Sequence, residues 1–324
     1  MKTTGKILSG LFLLGLLALA GVGVGYFYAT GAFSTPESLT ARQKLARQIP
    51  GGVLLWSRQG MVTAARFGHW EPRSITKGGN PRWSPDGRRF VFTRGHSVWL
   101  MQNDLSAPRK IMTDVFSEYA TGAFWTEDGK GVVAINRKDL RQVLIYDLAS
   151  GKTRLLHDER RPPYRGYHLS QGAHLRFGGR YLLTFTGDAG HRSMIIDLVK
   201  KRYITNKLMR SGDCGPAWSP DGRFIVMTRR NRRSLTRPLY IAEFDAKSGK
   251  LSASRYLIGR GRCERASISN DARYVLYVLS GNIFCWEIGP PVKKPRNGIQ
   301  LTADGHSTDP SLYIFKGNVP RAFE

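Results

Sequence analysis

The segment PRWSPDGRRFVFT at residues 81–93 recurs along the chain, and this recurrence decides the fold. Close copies are AFWTEDGKGVVAI at 123–135 and PAWSPDGRFIVMT at 216–228. Two degenerate copies keep the same frame, HLRFGGRYLLTF at 174–185 and ASISNDARYVLY at 266–277. Self-similarity with a period of about 20 to 50 residues is typical of solenoids, propellers and other repeat arrays.

Each copy predicts a β-hairpin around a tight turn. In Ser-Pro-Asp-Gly the proline fixes φ, the aspartate tolerates the next position and the glycine accepts a positive φ. Apolar residues then alternate with period two, as Phe90 and Phe92 do in the first copy, which is typical of a strand. The residues that define the structural repeat are Trp83, Asp86, Gly87, Trp125, Asp128, Gly129, Trp218, Asp221 and Gly222.

The tryptophan of the repeat serves as a reference position along the chain. The equivalent residues are Trp83, Trp125, Leu175, Trp218, Ile268 and Leu312, separated by 42, 50, 43, 50 and 44 residues. Two further strand signals lie between successive copies, for example SVWLMQND followed by PRKIMT. Each unit is therefore predicted to hold four antiparallel strands.

The two ends of the repeat region complement each other. Residues 53–76 supply strands two to four of a unit that lacks a first strand, and 310–315 supplies a first strand with nothing after it. Pairing them closes a sixth blade and removes the exposed edges of an open array. The prediction is an all-β fold, a six-bladed β-propeller with four-stranded blades over residues 51–318, followed by a tail at 319–324.

An apolar segment precedes the propeller. Residues 7–30 follow a basic n-region, residues 1–6, and no charged residue occurs before Glu37. The run exceeds the roughly 20 residues that a bilayer-spanning helix needs, so it predicts an N-terminal transmembrane anchor with a cytoplasmic N-terminus. The alternative is a cleaved signal peptide, because residues 18–20 form an A-x-A-like cleavage site. The propeller is then either held at the inner membrane in the periplasm or secreted after cleavage.

Residues 31–50 predict a short helical spacer between this segment and the propeller. Thr35 fits the N-cap, Pro36 the first helical position and Glu37 the first turn, and Pro50 with the following glycine ends the helix.

Composition narrows the class of partner. The chain carries 50 Lys and Arg against 24 Asp and Glu, a formal net charge of +26. Such a surface favours acidic partners and association steered by charge. We expect an envelope protein or an anionic polymer as partner, and contact with the membrane through the N-terminal helix. Nucleic acid is disfavoured because the apolar N-terminus carries the body across a membrane, and the composition leaves the oligomeric state open.

Alternating strand direction sorts the loops into two faces. The connections from strand four to the next blade and from strand two to three emerge together on what we call the first face. The SPDG turns emerge on the opposite, SPDG face. Two basic additions, 157–173 and 228–238, lie on the first face, where guanidinium groups can hold carboxylate or phosphate in bidentate fashion. The predicted ligand- or partner-binding residues are Arg160, Arg161, Arg165, Arg229, Arg230, Arg232, Arg233, Arg237, Arg260, Arg262 and Arg265.

A second set of residues is predicted to surround the mouth of the central channel. Asp213 and Cys214 precede Trp218 much as Cys263 and Glu264 precede the reference residue of the next copy. The predicted channel-mouth residues are His174, Asp213, Cys214, Cys263, Glu264 and His306. Their spacing matches no metal-ligand motif, so no metal and no cofactor is predicted. We expect unpaired structural cysteines. A Cys214–Cys263 disulfide is the alternative if the protein lies in an oxidising compartment.

The P-x-W-S-P-D-G-[KR]-x-[IFL] segment, carried in full by 81–90 and 216–225, resembles the repeat of the TolB-like propeller family. The resemblance covers nearly everything after residue 50 and implies a six-bladed propeller that is periplasmic or exported. The chain departs from the family pattern in lacking the extra N-terminal α/β domain. The motif packs and turns a blade and does no chemistry, so it implies fold rather than function.

These observations lead to two functional expectations. The first is a non-enzymatic, membrane-tethered interaction module that presents a basic face to an envelope protein or polyanion. No catalytic residues are assigned, because no paired carboxylates or Ser-His-Asp order stand out. The alternative is a propeller enzyme, a lyase or hydrolase acting on an acidic polysaccharide whose carboxylates the first-face arginines hold.

Overall fold

The computed structural model describes residues 36–118, 122–186, 192–204, 209, 213–229, 237–258, 263–288 and 298–324. The n-region and the predicted anchor or signal peptide therefore lie outside the described residues. In the part of the chain that is described, no helix has both the length and the hydrophobicity that crossing a bilayer requires.

The described chain begins with one helix and continues as strands. Helix α1 spans Pro36–Gln48, where the spacer helix was predicted. The strands are β1 Gly52–Arg58, β2 Met61–Arg66, β3 His69–Lys77, β4 Gly79–Trp83, β5 Arg89–Arg94, β6 Ser97–Gln102, β7 Arg109–Met112, β8 Phe124–Trp125, β9 Gly131–Ile135, β10 Gln142–Asp147, β11 Thr153–Asp158, β12 Leu169–Arg176, β13 Tyr181–Thr186, β14 Arg192–Asp197, β15 Arg202–Ile204, β16 Asp213–Trp218, β17 Phe224–Arg229, β18 Leu239–Asp245, β19 Lys250–Ile258, β20 Cys263–Ile268, β21 Tyr274–Leu279, β22 Asn282–Glu287, β23 Ile299–Gln300 and β24 Ser307–Ile314.

These strands form six four-stranded antiparallel sheets, which confirms the predicted propeller. Blade 1 is β4–β7, blade 2 is β8–β11, blade 3 is β12–β15, blade 4 is β16–β19 and blade 5 is β20–β23. Blade 6 has the order β24-β1-β2-β3, so the last strand of the chain pairs with the first three. Its register runs from Gly52 opposite Ile314 to Arg58 opposite Ser307, as the complementary ends of the repeat region predicted.

The core is divided among the contacts between neighbouring blades. One cluster of buried apolar side chains lies at each of the six contacts. The cluster between blades 6 and 1 joins the two ends of the chain, because Val53 and Phe90 share it with Phe323. Residues 319–324, assigned to a tail from the sequence, thus pack into the ring through Val319 and Phe323.

Hydrogen bonds explain why the SPDG segment recurs. The Ser84 hydroxyl donates to Asp86 Oδ1 at 2.5 Å, and the same oxygen accepts the Arg88 amide at 3.1 Å. Gly87 takes φ +68°, which favours glycine. Burial opposes ionisation of Asp86, but the bonds from Ser84 and the Arg88 amide outweigh it and lower the pKa of its carboxyl. The same hydroxyl–carboxylate pair recurs as Thr126 with Asp128, Ser219 with Asp221 and Ser269 with Asp271.

Candidate functional site

At or just before the innermost strand of every blade, the backbone is irregular at the same repeat position. Three residues before the reference position, φ is positive, between +46° and +64°. In five blades the pairing of first and second strands shifts register there, which is the mark of a β-bulge. The six bulge residues are Asn80, Gly122, Gly172, Gly215, Arg265 and Asp309. Blades 2 to 4 therefore carry glycine, whereas blades 5, 6 and 1 carry side chains.

The six innermost strands enclose an axial cavity of about 500 Å³. This volume lies within the range of about 300–1,000 Å³ that is usual for ligand pockets. Four arginines and two glutamates contribute to its lining: Arg82, Arg176, Arg237, Arg265, Glu127 and Glu264. The cavity is therefore rich in cations, and its walls also include the aromatic residues Phe124, Trp125, Trp218 and Tyr313.

Two titratable side chains meet on the ring of Phe124, which reaches the cavity from blade 2. The Arg82 guanidinium lies 5.3 Å from the Phe124 ring centroid, and the His174 imidazole centroid lies 3.7 Å from it. Arg82 Nη1 donates to the main-chain oxygens of Pro81, at 2.8 Å, and Asp309, at 3.3 Å. The aromatic ring thus contacts both a cation of blade 1 and an imidazole of blade 3.

The bulge at Gly172 makes room for this imidazole. A Cβ at Gly172 would lie 3.0 Å from Cδ2 and 3.2 Å from Nε2 of His174, and φ there is +64°. A side chain at this position would therefore displace the ring from the cavity wall. His174 is 9% exposed, and burial, followed by the charges of Arg176 and Arg82, holds its pKa well below the usual range. The imidazole is therefore neutral at physiological pH.

Arg176 occupies a repeat position where four other blades carry a small hydroxyl residue. It follows the reference position, as Ser84, Thr126, Ser219 and Ser269 do. Its Nη1 donates to the main-chain oxygens of Leu175, at 3.1 Å, and Trp125, at 3.5 Å. Its Nε is buried and has no hydrogen-bond partner among the described residues. Burial lowers the pKa of this guanidinium, and Glu127 and Asp221 oppose that shift.

An ion pair fills the opposite side of the channel. Arg265 Nη1 lies 2.8 Å from Asp309 Oδ2, which joins the bulge residues of blades 5 and 6. The Thr308 hydroxyl donates to the same oxygen at 2.8 Å. Asp309 Oδ1 is buried without a partner in the described part of the chain. The bulge positions of blades 2 to 4 carry glycine instead, so the charged bulge residues lie on one side of the channel.

The structure separates the first-face arginines that the sequence grouped together. Arg160 pairs with Asp158 at 2.7 Å and with Asp139 at 3.1 Å, so its charge is already compensated. Arg161 and Arg165 are exposed on the loop between β11 and β12. Arg229 lies over the ring of Tyr240, at 4.2 Å from its centroid. Arg230, Arg232, Arg233, Arg260 and Arg262 lie outside the described residues.

The remaining two arginines of that set reach the axial cavity rather than the rim. Arg237 lines the cavity 3.7 Å from Glu264, and Arg265 lines it beside Asp309. Both are therefore placed to meet a ligand in the channel.

The predicted channel-mouth residues also divide into two groups. His174 and Glu264 line the cavity, whereas His306 is exposed on the loop before β24. Cys263 belongs to the apolar cluster between blades 4 and 5, and it is a free thiol whose pKa burial raises to about 12. The disulfide alternative is thus not realised at Cys263.

The side chains of Asp213 and Cys214 lie outside the described part of the structure, although their backbone forms the start of β16. No three His, Cys, Asp or Glu side chains of the described residues come together as a metal site.

Sequence reasoning missed Arg82, Arg176 and Asp309 as cavity residues. The aligned repeat contains a signal for two of them. From blade 1 to blade 6, the position before the reference residue is occupied by Arg, Phe, His, Ala, Ser and Ser. The position after the reference residue is Arg only in blade 3. An arginine at a repeat position where no other blade carries one indicates a local role beyond blade packing.

Comparison with known proteins agrees with this architecture. No protein-family model matches the chain, and no curated protein matches it. Among solved structures, TolB from Acinetobacter baumannii superposes with a TM-score of 0.59 at 14% identity, covering 82% of this chain and 67% of that one. A putative TolB from Agrobacterium tumefaciens gives 0.50 at 13% identity, covering 82% and 98%. At these identities the likeness establishes the fold.

Proposed function

We propose that this chain, a TolB-like six-bladed propeller, is a non-enzymatic interaction module of the cell envelope that binds an acidic partner at its axial cavity and first face. One observation carries the proposal: four arginines against two glutamates line a cavity of ligand size on the propeller axis. Preformed clefts with few, convergent polar groups are the usual binding sites of globular proteins. The net charge of +26 adds long-range attraction for an acidic partner.

The first face supplies the outer part of this site. Arg237, near the end of the basic addition 228–238, also lines the cavity, so the addition reaches the cavity at this residue. Rim charges mainly raise the association rate and its salt dependence, whereas buried charges in the cavity govern dissociation. The partner is an envelope protein with an acidic segment or an anionic polymer.

Binding of the full chain to immobilised poly-L-glutamate, at low and at high salt, tests this proposal. The triple variant Arg230→Ser, Arg232→Ser and Arg233→Ser removes three charges from the first-face addition. The matched control removes three charges from the SPDG face at 200–202 (Lys, Lys and Arg to Ser). We expect weaker retention for the first-face variant than for the control. Equal retention of the two variants, or no retention of the wild type, contradicts the proposal.

Location outside the cytoplasm is part of the proposal and follows from the apolar segment at 7–30. A fusion of alkaline phosphatase to the C-terminus should be active, because that enzyme needs an oxidising compartment for its disulfides. Retention of the fusion in the membrane fraction distinguishes an anchor from a cleaved signal peptide. An inactive, cytoplasmic fusion rejects both.

A second candidate function is supported by one specific observation, the presence of His174, Arg82 and Arg176 in the lining of the same cavity. A neutral histidine can accept a proton, and arginines can stabilise the carboxylate of a uronic acid during β-elimination. Incubation with polygalacturonate, followed by ultraviolet absorbance of unsaturated products, tests this lyase activity. Formation of unsaturated products by the wild type, lost in His174→Ser, supports the lyase activity. If the wild type forms no such products, the binding module is the function that is retained.

A further inference from the structure

Arg82 of blade 1 and His174 of blade 3 contact the Phe124 ring of the blade between them, and Arg176, two residues after His174, lines the same cavity. None of the three takes part in the hydrogen bonds that form the SPDG turns. Burying two guanidinium groups this close to an imidazole opposes folding, because like charges repel and burial disfavours the charged form. Residues that oppose stability in this way are commonly retained for binding or catalysis.

We propose that Arg82, Arg176 and His174 form a subsite for one carboxylate group, and that the carboxylate binds together with a proton taken up by His174. The inference rests on the proposed function, since it concerns the same cavity. The inference adds that the centre of the cavity recognises a carboxylate group. It also adds that binding of this group depends on pH.

Arg82 and Arg176, which both line the cavity, have unused hydrogen-bond donors. Arg82 and Arg176 each direct Nη1 to main-chain oxygens, and neither Nη2 has an acceptor among the described residues. The Nε of Arg176 is buried without a partner in the same part of the chain. Guanidinium nitrogens in this state recognise carboxylates well, because their bonds to a charged acceptor are short and strong.

The bulge positions on this side of the channel carry no charged side chain. Gly122, Gly172 and Gly215 mark the three consecutive blades on this side of the channel. On the opposite side the Arg265–Asp309 pair occupies the equivalent positions and compensates its own charge. A carboxylate entering the cavity can therefore pair with the unused donors of Arg82 and Arg176, whereas Arg265 already pairs with Asp309.

The charges around His174 determine how binding depends on pH. Arg176 lies on its own strand and Arg82 on β4, and both oppose protonation. Phe124 on β8, whose ring centroid lies 3.7 Å from that of the imidazole, carries no charge. The more distant charged groups of the lining are Glu127, Arg237, Glu264 and Arg265, with Asp221 near Arg176 and Asp309 near Arg82.

A bound carboxylate compensates the two arginines and so raises the pKa of His174 toward its ordinary value. The complex then holds more protons than the free protein, and linkage requires affinity to increase as pH falls. The effect develops below the ordinary histidine pKa of about 6.5 and continues until the carboxylate itself is protonated near pH ~4. For the ligand-free protein, the contribution of His174 to the free energy of unfolding decreases as pH falls, because the unfolded chain takes up the proton more readily.

Two sources offer the same chemistry, an acidic side chain of a protein and a free dicarboxylic acid. Acetyl-triaspartate amide and succinate are the respective probes, and acetyl-triasparagine amide is the uncharged control. Calorimetry of the full chain near pH 6, in two buffers that differ in ionisation enthalpy, measures affinity and the number of protons taken up.

The variants use residues that other blades already carry at the same repeat position. Arg176→Ser introduces the residue found at Ser84 and Ser219, and His174→Ser the one found at Ser267 and Ser311. Arg273→Ser is the matched control, since Arg273 is exposed on the SPDG face and pairs with Glu287. Thermal unfolding of each variant verifies that the ring is intact.

We expect a charged probe to bind with proton uptake, and Arg176→Ser to weaken binding roughly tenfold or more, as loss of a charge-assisted bond does. His174→Ser should remove the proton uptake and most of the pH dependence. Binding without proton uptake, equal affinity of Arg176→Ser and Arg273→Ser, or no binding of either charged probe overturns the inference. If poly-L-glutamate retention still depends on the first-face arginines in that case, the interaction function stands and only this subsite is rejected.

Discussion

Replacing Phe323 by alanine should destabilise the whole propeller, although Phe323 is the last residue but one. Its side chain is 4% exposed and contacts the indole of Trp83 edge to face, with ring centroids 5.5 Å apart. Trp83 in turn donates its indole N–H to the Val53 oxygen at 3.2 Å, so the contact joins blade 1 to blade 6. Removing a buried phenylalanine side chain costs about 3–5 kcal/mol. The lower end applies here, because a chain terminus can partly collapse into the space.

Urea unfolding followed by tryptophan fluorescence measures this free energy of unfolding. Lys316→Ala is the matched control, since Lys316 is exposed in the same terminal segment and surface changes stay within about 0.5 kcal/mol. A double-mutant cycle with Trp83→Ala should give a coupling energy of about 0.5–1.5 kcal/mol for the aromatic pair. A loss below about 1 kcal/mol for Phe323→Ala, within the range of ordinary substitutions, refutes the role of the terminus in ring closure.

Three further predictions concern closure, a buried network and the cysteines. Deleting residues 310–324 removes most of β24 and three buried apolar side chains, those of Leu312, Val319 and Phe323, worth about 5–9 kcal/mol at 1.5–3 kcal/mol each; we expect no cooperative unfolding transition, and a normal one contradicts the closure. Tyr203→Phe removes the hydroxyl that donates to the fully buried Glu159 carboxylate at 2.5 Å and should cost about 1–3 kcal/mol, which unchanged urea unfolding would disprove. Burial raises the pKa of Cys263 to about 12, and Cys285 is equally buried. Both thiols should therefore resist alkylation until the protein unfolds. Mass spectrometry of the native protein after alkylation would contradict this if it showed either thiol modified.

The fold could be predicted because its determinants are local and repeated. The Ser84–Asp86 hydrogen bond and the left-handed Gly87 are fixed by residues adjacent in sequence. The periodic recurrence of this turn then defines the blade count, and the unmatched strands at the two ends define closure. Even a degenerate copy keeps the geometry, since Ala272 adopts φ +59° where other turns carry glycine.

The centre of the site could not be predicted in the same way. Whether Arg82 points into the channel depends on the bulge at Asn80, whose amide is held by Ser57 of another blade at 2.8 Å. The Arg265–Asp309 pair likewise joins residues from different blades. Such contacts depend on tertiary register, which no local pattern contains. The first-face arginines were recognisable as a charge cluster, but charge alone does not indicate which of them reach the cavity.

The central claim is that an acidic ligand binds in the axial cavity and not merely on the charged surface. The indole N–H resonances of the tryptophans measure this directly, because Trp125 and Trp218 line the cavity whereas Trp70 and Trp99 are not among its lining residues. Titration of the ¹⁵N-labelled protein with acetyl-triaspartate amide should shift the Trp125 and Trp218 resonances and leave those of Trp70 and Trp99 in place. Uniform small shifts of all four, or no shift at Trp125 and Trp218, would contradict binding in the cavity.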